Sequence, residues 1–385
     1  MGLARGNWGA GLALWKGIAR PAARSAARRR KNGCRTVFRV VAAATFGRCR
    51  ESSGPSRGRP QRSEDGHLGG AARAAGAAGE HAGGGQHSRY DCWMSSPVVL
   101  ITGASAGLGL AIAKALLARD YRLILTAREV SLPRFALHGI AESERVWIRP
   151  LDVTHDAERK AVVREANTRW GGVDVLVNNA GISLRSVVEH VTETERDLQM
   201  AVNYSGPLEL IRLVLPTMRK KRQGRILNVS SVGGMMAMPT MAVYSASKFA
   251  LEGASEALWY EVRPFGIFVT LIQPGFISSD GFEKVLFTTK GMAAHDTITH
   301  AYHWHYHYMQ GFIARVSRRV LATPESVART VVRTIEQRRP PLRVPATFDA
   351  RVFSILRRVL PRGLYHWVLY RSLPHVRTWG RRLPL

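Results

Sequence analysis

The sequence predicts an α/β domain built on a doubly wound parallel sheet, with a helical extension at its C-terminal end. From Val98 onward, short apolar runs alternate with amphipathic helical segments, which is the pattern of a parallel sheet covered by helices on both faces. A glycine-rich turn joins the first strand to the first helix, and the excess of positive charge lies mainly outside this region. We expect a single domain over residues 94–345, followed by the extension over residues 346–385.

Three segments of the chain differ in charge. Residues 1–93 carry 17 Lys/Arg and 5 Asp/Glu, a net charge of +12; residues 94–340 carry 30 and 22, and residues 341–385 carry 9 and 1, a net charge of +8 in each case. The total of +28 would by itself indicate a nucleic-acid or anionic-membrane partner. Because the excess is concentrated at the ends, we interpret the middle as an ordinary globular domain and expect no nucleic-acid binding.

The cysteines exclude two classes of site. Cys34, Cys49 and Cys92 all lie in the first segment, and their odd number and irregular spacing fit neither a disulfide framework nor a zinc motif. We therefore expect chemistry that depends on neither a thiol nor a metal ion.

Residues 1–93 are rich in Arg, Ala and Gly and show no sustained periodicity, so they cannot bury a core. They contain no apolar run long enough to span a membrane. Three interpretations remain open: a targeting peptide whose first acidic residue is Glu51, a basic arm, or sequence upstream of a true start at Met94. We expect the segment to be disordered or non-native. The protein would then be cytoplasmic, with mitochondrial or other targeting only if the segment is genuine.

The turn after the first strand has the composition of a dinucleotide-binding turn of the Rossmann type. Val98–Ile101 leads into Thr-Gly-Ala-Ser-Ala-Gly-Leu-Gly over residues 102–109. Glycines let the backbone approach a pyrophosphate, and the N-terminus of the next helix offers free N–H groups and a positive dipole end. The cofactor contacts predicted here are Thr102, Gly103, Ser105, Gly107, Leu108 and Gly109.

The end of the second strand indicates which nicotinamide cofactor is preferred. Enzymes selective for NAD usually place an acidic residue there, which accepts hydrogen bonds from the ribose 2′-hydroxyl. Here residues 122–126 are followed by Ala127 and Arg128, and a guanidinium can bind a 2′-phosphate through two parallel hydrogen bonds. We therefore predict a preference for NADP(H), with NAD(H) as the second option and a solvated surface arginine as the alternative interpretation of Arg128.

Polar and small residues follow the later predicted strands, which cover residues 146–148, 173–177, 226–229 and 268–272. An aspartate after the third strand can accept a hydrogen bond from the adenine amino group, and small residues after the fourth let the cofactor lie flat across the strand ends. The further cofactor contacts predicted at these strand ends are Asp152, Val153, Asn179, Ala180 and Gly181. The sixth strand is followed by Pro274 and Gly275, which belong to the motifs of the resemblance described below and complete the predicted set.

Three residues have the spacing of a proton-transfer site. Tyr244 and Lys248 lie four residues apart on one face of a predicted helix, so the ammonium is expected to favour tyrosinate and to lower the tyrosine pKa. Ser231, thirteen residues before Tyr244, follows a buried strand and would donate a hydrogen bond to a carbonyl oxygen.

The order and spacing of these motifs resemble the short-chain dehydrogenase/reductase family over about 250 residues. Residues 231–253 are similar to its steroid and retinoid dehydrogenase branch. The resemblance implies reversible hydride transfer between NAD(P)(H) and an alcohol or carbonyl, usually in a dimer or tetramer. It also implies that Tyr244 and Lys248 contact the cofactor, with Lys248 on the nicotinamide ribose, and that Asn203 anchors a water in a proton relay.

Two alternatives of other classes remain: an inactive, cofactor-sensing relative, and a basic nucleic-acid-binding protein. The complete set of Asn203, Ser231, Tyr244 and Lys248 argues against the first. The confinement of the excess charge to the ends of the chain argues against the second.

The segment over about residues 278–321 (the lid segment) is predicted to be a mobile cover for the substrate. Its many aromatic and Met side chains suit a large apolar substrate resembling a lipid, steroid or retinoid. His303 and His307 have a helical spacing that would permit a metal ion, but no carboxylate follows at a useful spacing, so an amphipathic cover is the favoured interpretation.

The C-terminal extension alternates apolar and aromatic residues with arginines and is predicted to form two helices separated at Pro361. Such a pair suits the surface of a membrane, although neither helix could span one. Docking on the domain, or at an interface between subunits, is the alternative. We expect peripheral membrane contact and, from the family resemblance, a homo-oligomer.

Overall fold

The computed structural model describes residues 96–278 and 286–380; the predictions for residues 1–93 therefore lie outside the described part of the chain. Within these ranges, one sheet contains seven parallel strands: β1 (Val98–Ile101), β2 (Arg122–Ala127), β3 (Val146–Pro150), β4 (Val175–Asn178), β6 (Gly224–Val229), β7 (Ile267–Gln273) and β9 (Arg343–Pro345). Their order across the sheet is β3-β2-β1-β4-β6-β7-β9. Strands β5 (Leu184–Arg185) and β8 (Leu286–Phe287) form a separate parallel pair.

Helices connect the strands and extend the chain beyond β9. They are α1 (Gly107–Leu117), α2 (Pro133–Leu137), α3 (Asp156–Trp170), α4 (Glu193–Met200), α5 (Gly206–Lys221), α6 (Ala242–Val262), α7 (Thr289–Asp296), α8 (His303–Ser317), α9 (Pro324–Glu336), α10 (Phe348–Val359) and α11 (Arg362–Ser372). Within the described ranges, no helix combines the length and the apolar character that a membrane crossing requires.

An apolar core lies on each face of the sheet. Adjacent residues of a strand point to opposite faces, and both Leu100 and Ile101 of β1 are completely buried. Ile101 belongs to the core that includes Ile112 of α1 and Val331 of α9, whereas Leu100 belongs to the core that includes Leu210 of α5. Burial on both faces explains why the predicted strands are continuous apolar runs, and the doubly wound fold is confirmed.

The strand order reverses between β1 and β4, because β2 and β3 extend the sheet on one side of β1 and the later strands extend it on the other. In open parallel sheets, ligands bind outside the carboxyl ends of the strands at this reversal. All the predicted site residues that follow strands therefore share one edge of the sheet.

One predicted strand differs in detail from the observed one. The fourth strand begins at Val175 instead of residue 173; the carboxylate of the preceding Asp174 accepts a hydrogen bond from the backbone N–H of Val98 (2.9 Å). The segment that carries Asn203 consists of α4 and α5, which are joined by a π-helical turn, Ala201–Ser205.

The C-terminal extension forms the predicted helix pair, α10 and α11, and the break lies at Leu360 and Pro361. One side of the pair packs on the domain, where Ala350 and Tyr365 join a buried apolar cluster with Val232, Met235 and Met236. The guanidinium of Arg357 also donates to the backbone carbonyl of Met235. The extension therefore contacts the loop that follows β6.

Candidate active site

The predicted dinucleotide-binding turn has the geometry of an anion cradle. Helix α1 begins at Gly107, and the residue before it, Ala106, provides no side-chain cap for the free N–H groups. Gly107 has a positive φ of 54°, and the space where its Cβ would lie is open to at least 4 Å. A Cβ on Gly109 would overlap the carbonyl oxygen of Gly103, so the turn requires glycine there. The site fits a pyrophosphate, which would bind at an uncapped helix N-terminus.

Hydrogen bonds hold this turn against the end of β4. The hydroxyl oxygen of Thr102 accepts from the backbone N–H groups of Asn179 and Ala180, each at 3.0 Å. The Asn179 amide donates in return to the carbonyl oxygens of Thr102 (2.9 Å) and Gly103 (3.1 Å). Thr102 and Asn179 thus shape the turn, and their contact with a cofactor stays a prediction.

Other residues of the predicted cofactor set are buried, pack against the core or line a cavity. Ser105 and Val153 are buried, Leu108 packs against the apolar core, and Gly181 borders the cavity described below.

Arg128 and Asp152 lie at the ends of β2 and β3. Arg128 is exposed and directly follows β2. The Asp152 carboxylate accepts from the backbone N–H (2.9 Å) and the hydroxyl (2.7 Å) of Thr154. Burial would raise the pKa of Asp152, but these hydrogen bonds and the nearby positive charges of His155 and Arg128 hold it below its usual value. An anionic and a cationic group therefore lie within electrostatic reach of each other at this edge of the sheet.

Ser231, Tyr244 and Lys248 lie together, as their spacing predicted. Ser231 directly follows the buried Ser230 at the end of β6, and its hydroxyl accepts from the backbone N–H of Gly233 at 3.0 Å. The Ser231 and Tyr244 hydroxyls are hydrogen-bonded to each other. Lys248 is 6% exposed, and its ammonium donates to the carbonyl oxygen of Val229 at 2.8 Å.

The protein environment shifts the pKa values of both titratable groups in this cluster, Tyr244 and Lys248. Burial raises the pKa of the Tyr244 phenol, against the opposing effect of the Ser231 hydrogen bond. Burial also lowers the pKa of Lys248 to about 8, against the opposing charge of Glu252. The sequence suggested a lowered tyrosine pKa, and the structure gives the opposite direction because loss of solvation outweighs the effect of the Ser231 hydrogen bond. A raised pKa keeps the phenol protonated and able to donate.

Asn203 is completely buried in the π-helical turn between α4 and α5. Its amide exchanges two 2.9 Å hydrogen bonds with the backbone of Ile182, and it donates to the Ser247 hydroxyl at 3.0 Å. The Ser247 hydroxyl in turn donates to the backbone carbonyl of Tyr244 at 2.7 Å. Asn203 therefore connects the loop that follows β4 with α6. Irregular π turns are frequent at functional sites.

A cavity of about 380 Å³ opens beside the predicted catalytic residues. Many of the predicted site residues line this cavity, whereas Arg128, Asp152 and the turn over residues 102–109 do not. The predicted residues that line it are Asn179, Gly181, Ser231, Tyr244, Lys248, Pro274 and Gly275. Lining residues that sequence reasoning missed include Ser183, Arg185, Met238, Met241, Phe276 and Ile313. Among these, apolar side chains predominate.

The lid segment differs from the sequence-based expectation. Of its described residues, Leu286 and Ile313 line the cavity, whereas none of its described aromatic side chains does. Tyr306, for example, is buried, and its hydroxyl accepts from the backbone N–H of Val187 at 3.0 Å. The aromatic side chains pack instead because the periodicity of a helix directs its apolar face toward the protein interior.

The two histidines weighed as metal ligands stack on each other. The ring centroids of His303 and His307 are 5.7 Å apart. Among the described residues, no group of three or more His, Cys, Asp or Glu side chains could hold a metal ion.

The loop after β7 is held by residues that sequence reasoning also missed. The backbone N–H of Gly275 donates to the Thr347 hydroxyl (2.8 Å), and that of Phe276 donates to the Asp349 carboxylate (2.9 Å). Thr347 is the N-cap of α10, and its hydroxyl is directed to the Ala350 N–H as well. The sequence could have indicated the cap, but not that it contacts the Pro-Gly loop.

Known proteins resemble this chain in sequence and in fold. A family model described as short chain dehydrogenase matches residues 97–288. Retinol dehydrogenase 8 of Homo sapiens is 34% identical over 291 residues, which cover 71% of this chain and 89% of that protein. The chain belongs to the short-chain dehydrogenase/reductase family. It is accordingly an NAD(P)-dependent oxidoreductase of the class that acts on CH–OH groups.

Two further relatives carry related names. The 17-beta-hydroxysteroid dehydrogenase type 1 of Homo sapiens is 34% identical over 261 residues, which cover 65% of this chain and 77% of that protein. A 3-ketodihydrosphingosine reductase of Bacteroides thetaiotaomicron is 41% identical over 182 residues, which cover 47% of this chain and 64% of that protein. The matched region thus spans less than two thirds of the bacterial enzyme. The retinol and hydroxysteroid relatives place this dehydrogenase in the steroid and retinoid branch.

Solved structures agree on the fold. A short-chain dehydrogenase from Streptomyces avermitilis superposes with a TM-score of 0.59 at 32% identity, covering 71% of this chain and 97% of that one. A metagenomic short-chain oxidoreductase solved in complex with NADP gives a TM-score of 0.50 at 25% identity, covering 66% and 97%.

Proposed function

We propose that this dehydrogenase transfers a hydride between NADP(H) and an apolar alcohol or carbonyl compound, with Tyr244 as the acid and base. The observation that carries the proposal is the convergence of Ser231, Tyr244 and Lys248 on one largely apolar cavity at the carboxyl ends of the strands. An inactive, cofactor-sensing relative would have no need of this arrangement.

The residues around the glycine turn suit the cofactor. The uncapped N-terminus of α1 would hold the pyrophosphate, Asp152 the adenine amino group and Arg128 the 2′-phosphate. Lys248 would hold the nicotinamide ribose. When bound, the nicotinamide supplies or accepts the hydride. The NADP in one structural relative supports NADP(H) as the preferred form, and no acidic residue at position 127 opposes it.

The chain's own groups handle the proton. Ser231 would donate a hydrogen bond to the substrate oxygen and orient it, and Tyr244, protonated because burial raises its pKa, would give its proton to that oxygen. The buried ammonium of Lys248 would then stabilise the tyrosinate. Asn203, which is held on the backbone of Ile182, would anchor the water that returns a proton through Lys248.

The cavity lining supports an apolar substrate. Met238, Met241, Phe276 and Ile313 provide large, adaptable apolar surfaces around the proposed reacting hydroxyl groups. The names of the relatives include a retinol, a hydroxysteroid and a sphingoid base. We therefore favour a lipid-, steroid- or retinoid-like compound.

A panel of substrates tests this function. Initial rates of NADPH oxidation are measured with retinal, a steroid ketone, a long-chain ketone and a small polar ketone, and each assay is repeated with NADH. The proposal predicts turnover of at least one apolar compound. That turnover should be faster with NADPH than with NADH, and faster than turnover of the small polar ketone. Cofactor binding without turnover of any carbonyl, or of the matching alcohols with NADP⁺, would favour the cofactor-sensing alternative.

We also propose that the extension contacts membranes peripherally, in a cytoplasmic homo-oligomer. The side of the helix pair that faces away from the domain exposes large apolar side chains and arginines. They are Phe348, Ile355, Val359, Leu364, Trp367 and Tyr370, with Arg351, Arg358, Arg362 and Arg371. Apolar and basic residues on one surface suit an anionic lipid interface.

A further inference from the structure

Glu252 is a buried carboxylate that the proposed reaction does not use. It lies on α6, one helical turn after Lys248, and is 6% exposed. Its Oε1 accepts hydrogen bonds from the Ser230 hydroxyl (2.7 Å) and from the Gln273 side-chain amide (2.8 Å). Buried carboxylates are costly unless they are hydrogen-bonded and compensated by charge, so a well-satisfied one indicates a specific role.

The two donors belong to the loops that form the active site. Ser230 immediately precedes Ser231, and Gln273 is the last residue of β7, immediately before Pro274. The backbone N–H of Ser230 also donates to the carbonyl oxygen of Ile272 at 2.7 Å. One carboxylate on the helix of Tyr244 and Lys248 therefore holds both neighbouring strand ends.

Glu252 also contributes charge. Its negative charge raises the pKa of Lys248, against the larger lowering effect of burial. The other charged group beside the carboxylate is Arg343 of β9, whose Nε lies 3.7 Å from Oε2 and whose Nη2 lies 2.7 Å from Glu256 on the exposed side of α6. The other titratable side chains beside Lys248 include Tyr244 on the same helix and Arg185 of β5, which lines the same cavity.

We propose that Glu252 is a positioning residue of the active site, which holds the Ser231 and Pro274 loops against α6 and supplies a negative charge one helical turn from Lys248. The inference rests on the proposed function for its catalytic consequence. The contacts of Glu252 with the two loops and its charge beside Lys248 do not depend on that function, and the titration of Lys248 measures the effect of the charge directly.

Glu252→Gln is the informative variant, because it nearly preserves the volume and removes the charge. Glu256→Gln is the matched control, since it removes a carboxylate from the same helix and the same arginine without touching the two loops. In lysine-13C-labelled protein, the Lys248 Cε resonance is identified by its absence from Lys248→Arg and followed against pH. Rates of carbonyl reduction with NADPH are measured over the same pH range.

For Glu252→Gln we expect the Lys248 titration midpoint and the alkaline fall in kcat/KM to move together to lower pH, by about half a unit or more. We expect kcat to fall about tenfold, while the Kd for NADPH changes less than about twofold. Glu256→Gln should match the wild type in each measurement. Because the lysine titration needs no turnover, a wild type without activity would refute the proposed function while the titration still decides the role of Glu252.

An unchanged Lys248 midpoint in a folded Glu252→Gln would overturn the inference. So would an equal loss of activity at every pH, which would mean a merely structural role. If that variant does not fold, Glu252→Asp keeps the charge and withdraws the carboxylate from Ser230. It should lower kcat about fivefold with the lysine midpoint unchanged, and wild-type kcat in this variant would equally overturn the proposal.

Discussion

The ammonium of Lys248 donates a hydrogen bond to the carbonyl oxygen of Val229, the last residue of β6, at 2.8 Å. This contact fixes the middle of α6 to the strand that leads into Ser231. The lysine is also buried, and burial lowers its pKa to about 8. Its charge is therefore expected to change within an accessible pH range.

Carbonyl reduction should slow as the pH rises through about 8. Below this value Lys248 is charged and can stabilise the tyrosinate; above it the lysine is neutral, while the raised pKa of Tyr244 keeps the phenol protonated. We expect kcat/KM with NADPH to be level at lower pH and to fall above about pH 8. A profile that stays level to about pH 10 would contradict this role of Lys248.

Arg128 should determine the preference between the two nicotinamide cofactors. An arginine–phosphate contact contributes about 1.5–3 kcal/mol, so Arg128→Gln should weaken NADPH binding roughly ten- to hundredfold and leave NADH binding unchanged. Fluorescence titration measures both Kd values. Arg134→Gln, at an exposed position on nearby α2, is the control and should bind both cofactors like the wild type. Wild-type NADPH affinity in Arg128→Gln would support the solvated-arginine interpretation instead.

The outward side of the extension should bind anionic vesicles. Deleting the helices would also remove Ala350 and Tyr365 from the cluster next to Ser231, so substitutions on the exposed side are the cleaner test. We expect Ile355→Ser combined with Trp367→Ser to abolish co-sedimentation with phosphatidylserine-containing vesicles, without changing the melting temperature.

Binding of the wild type should weaken with salt, since each basic residue near an anionic surface contributes about 1 kcal/mol. The control is Arg338→Gln combined with Arg339→Gln, which removes exposed charge outside the helix pair and should sediment nearly as the wild type does. If the wild type fails to sediment at low salt, only the packing role of the extension remains.

A chain that begins at Met94 should fold and turn over like the full chain. Both described cores of the sheet are built from residues at or beyond position 98, and the composition of residues 1–93 offers no core of its own. Melting temperature and kcat/KM are compared for the two proteins. A large loss of either in the shorter chain would show that the segment packs on the domain.

Periodicity and motif spacing predicted the buried strands and the residues that strand ends and helix turns bring together. The buried strands appear as apolar runs such as Val98–Ile101, and parallel strands bring their carboxyl ends to one edge, so Ser231 could be associated with Tyr244 across thirteen residues. The helix period likewise places Lys248 beside Tyr244.

The contacts that sequence reasoning missed depend on tertiary packing. Nothing in the local pattern around Asn203 indicates a π turn, which is defined by the backbone within a longer helix. Glu252 resembles any polar residue on an amphipathic helix until the ends of β6 and β7 are placed beside it. In the lid segment, composition could not separate aromatic residues that line a cavity from those that pack like Tyr306.

Removal of the phenolic oxygen of Tyr244 tests directly whether this residue is the acid and base of the reaction. Tyr244→Phe removes the proposed proton donor and keeps the ring in place, so NADPH should bind with an affinity close to that of the wild type. We compare kcat/KM for the best apolar carbonyl of the panel, together with the Kd for NADPH, in the wild type and in this variant. We expect Tyr244→Phe to lose turnover by about a thousandfold or more, with the cofactor Kd changed less than about threefold; turnover near the wild-type rate would show that Tyr244 is not the proton donor.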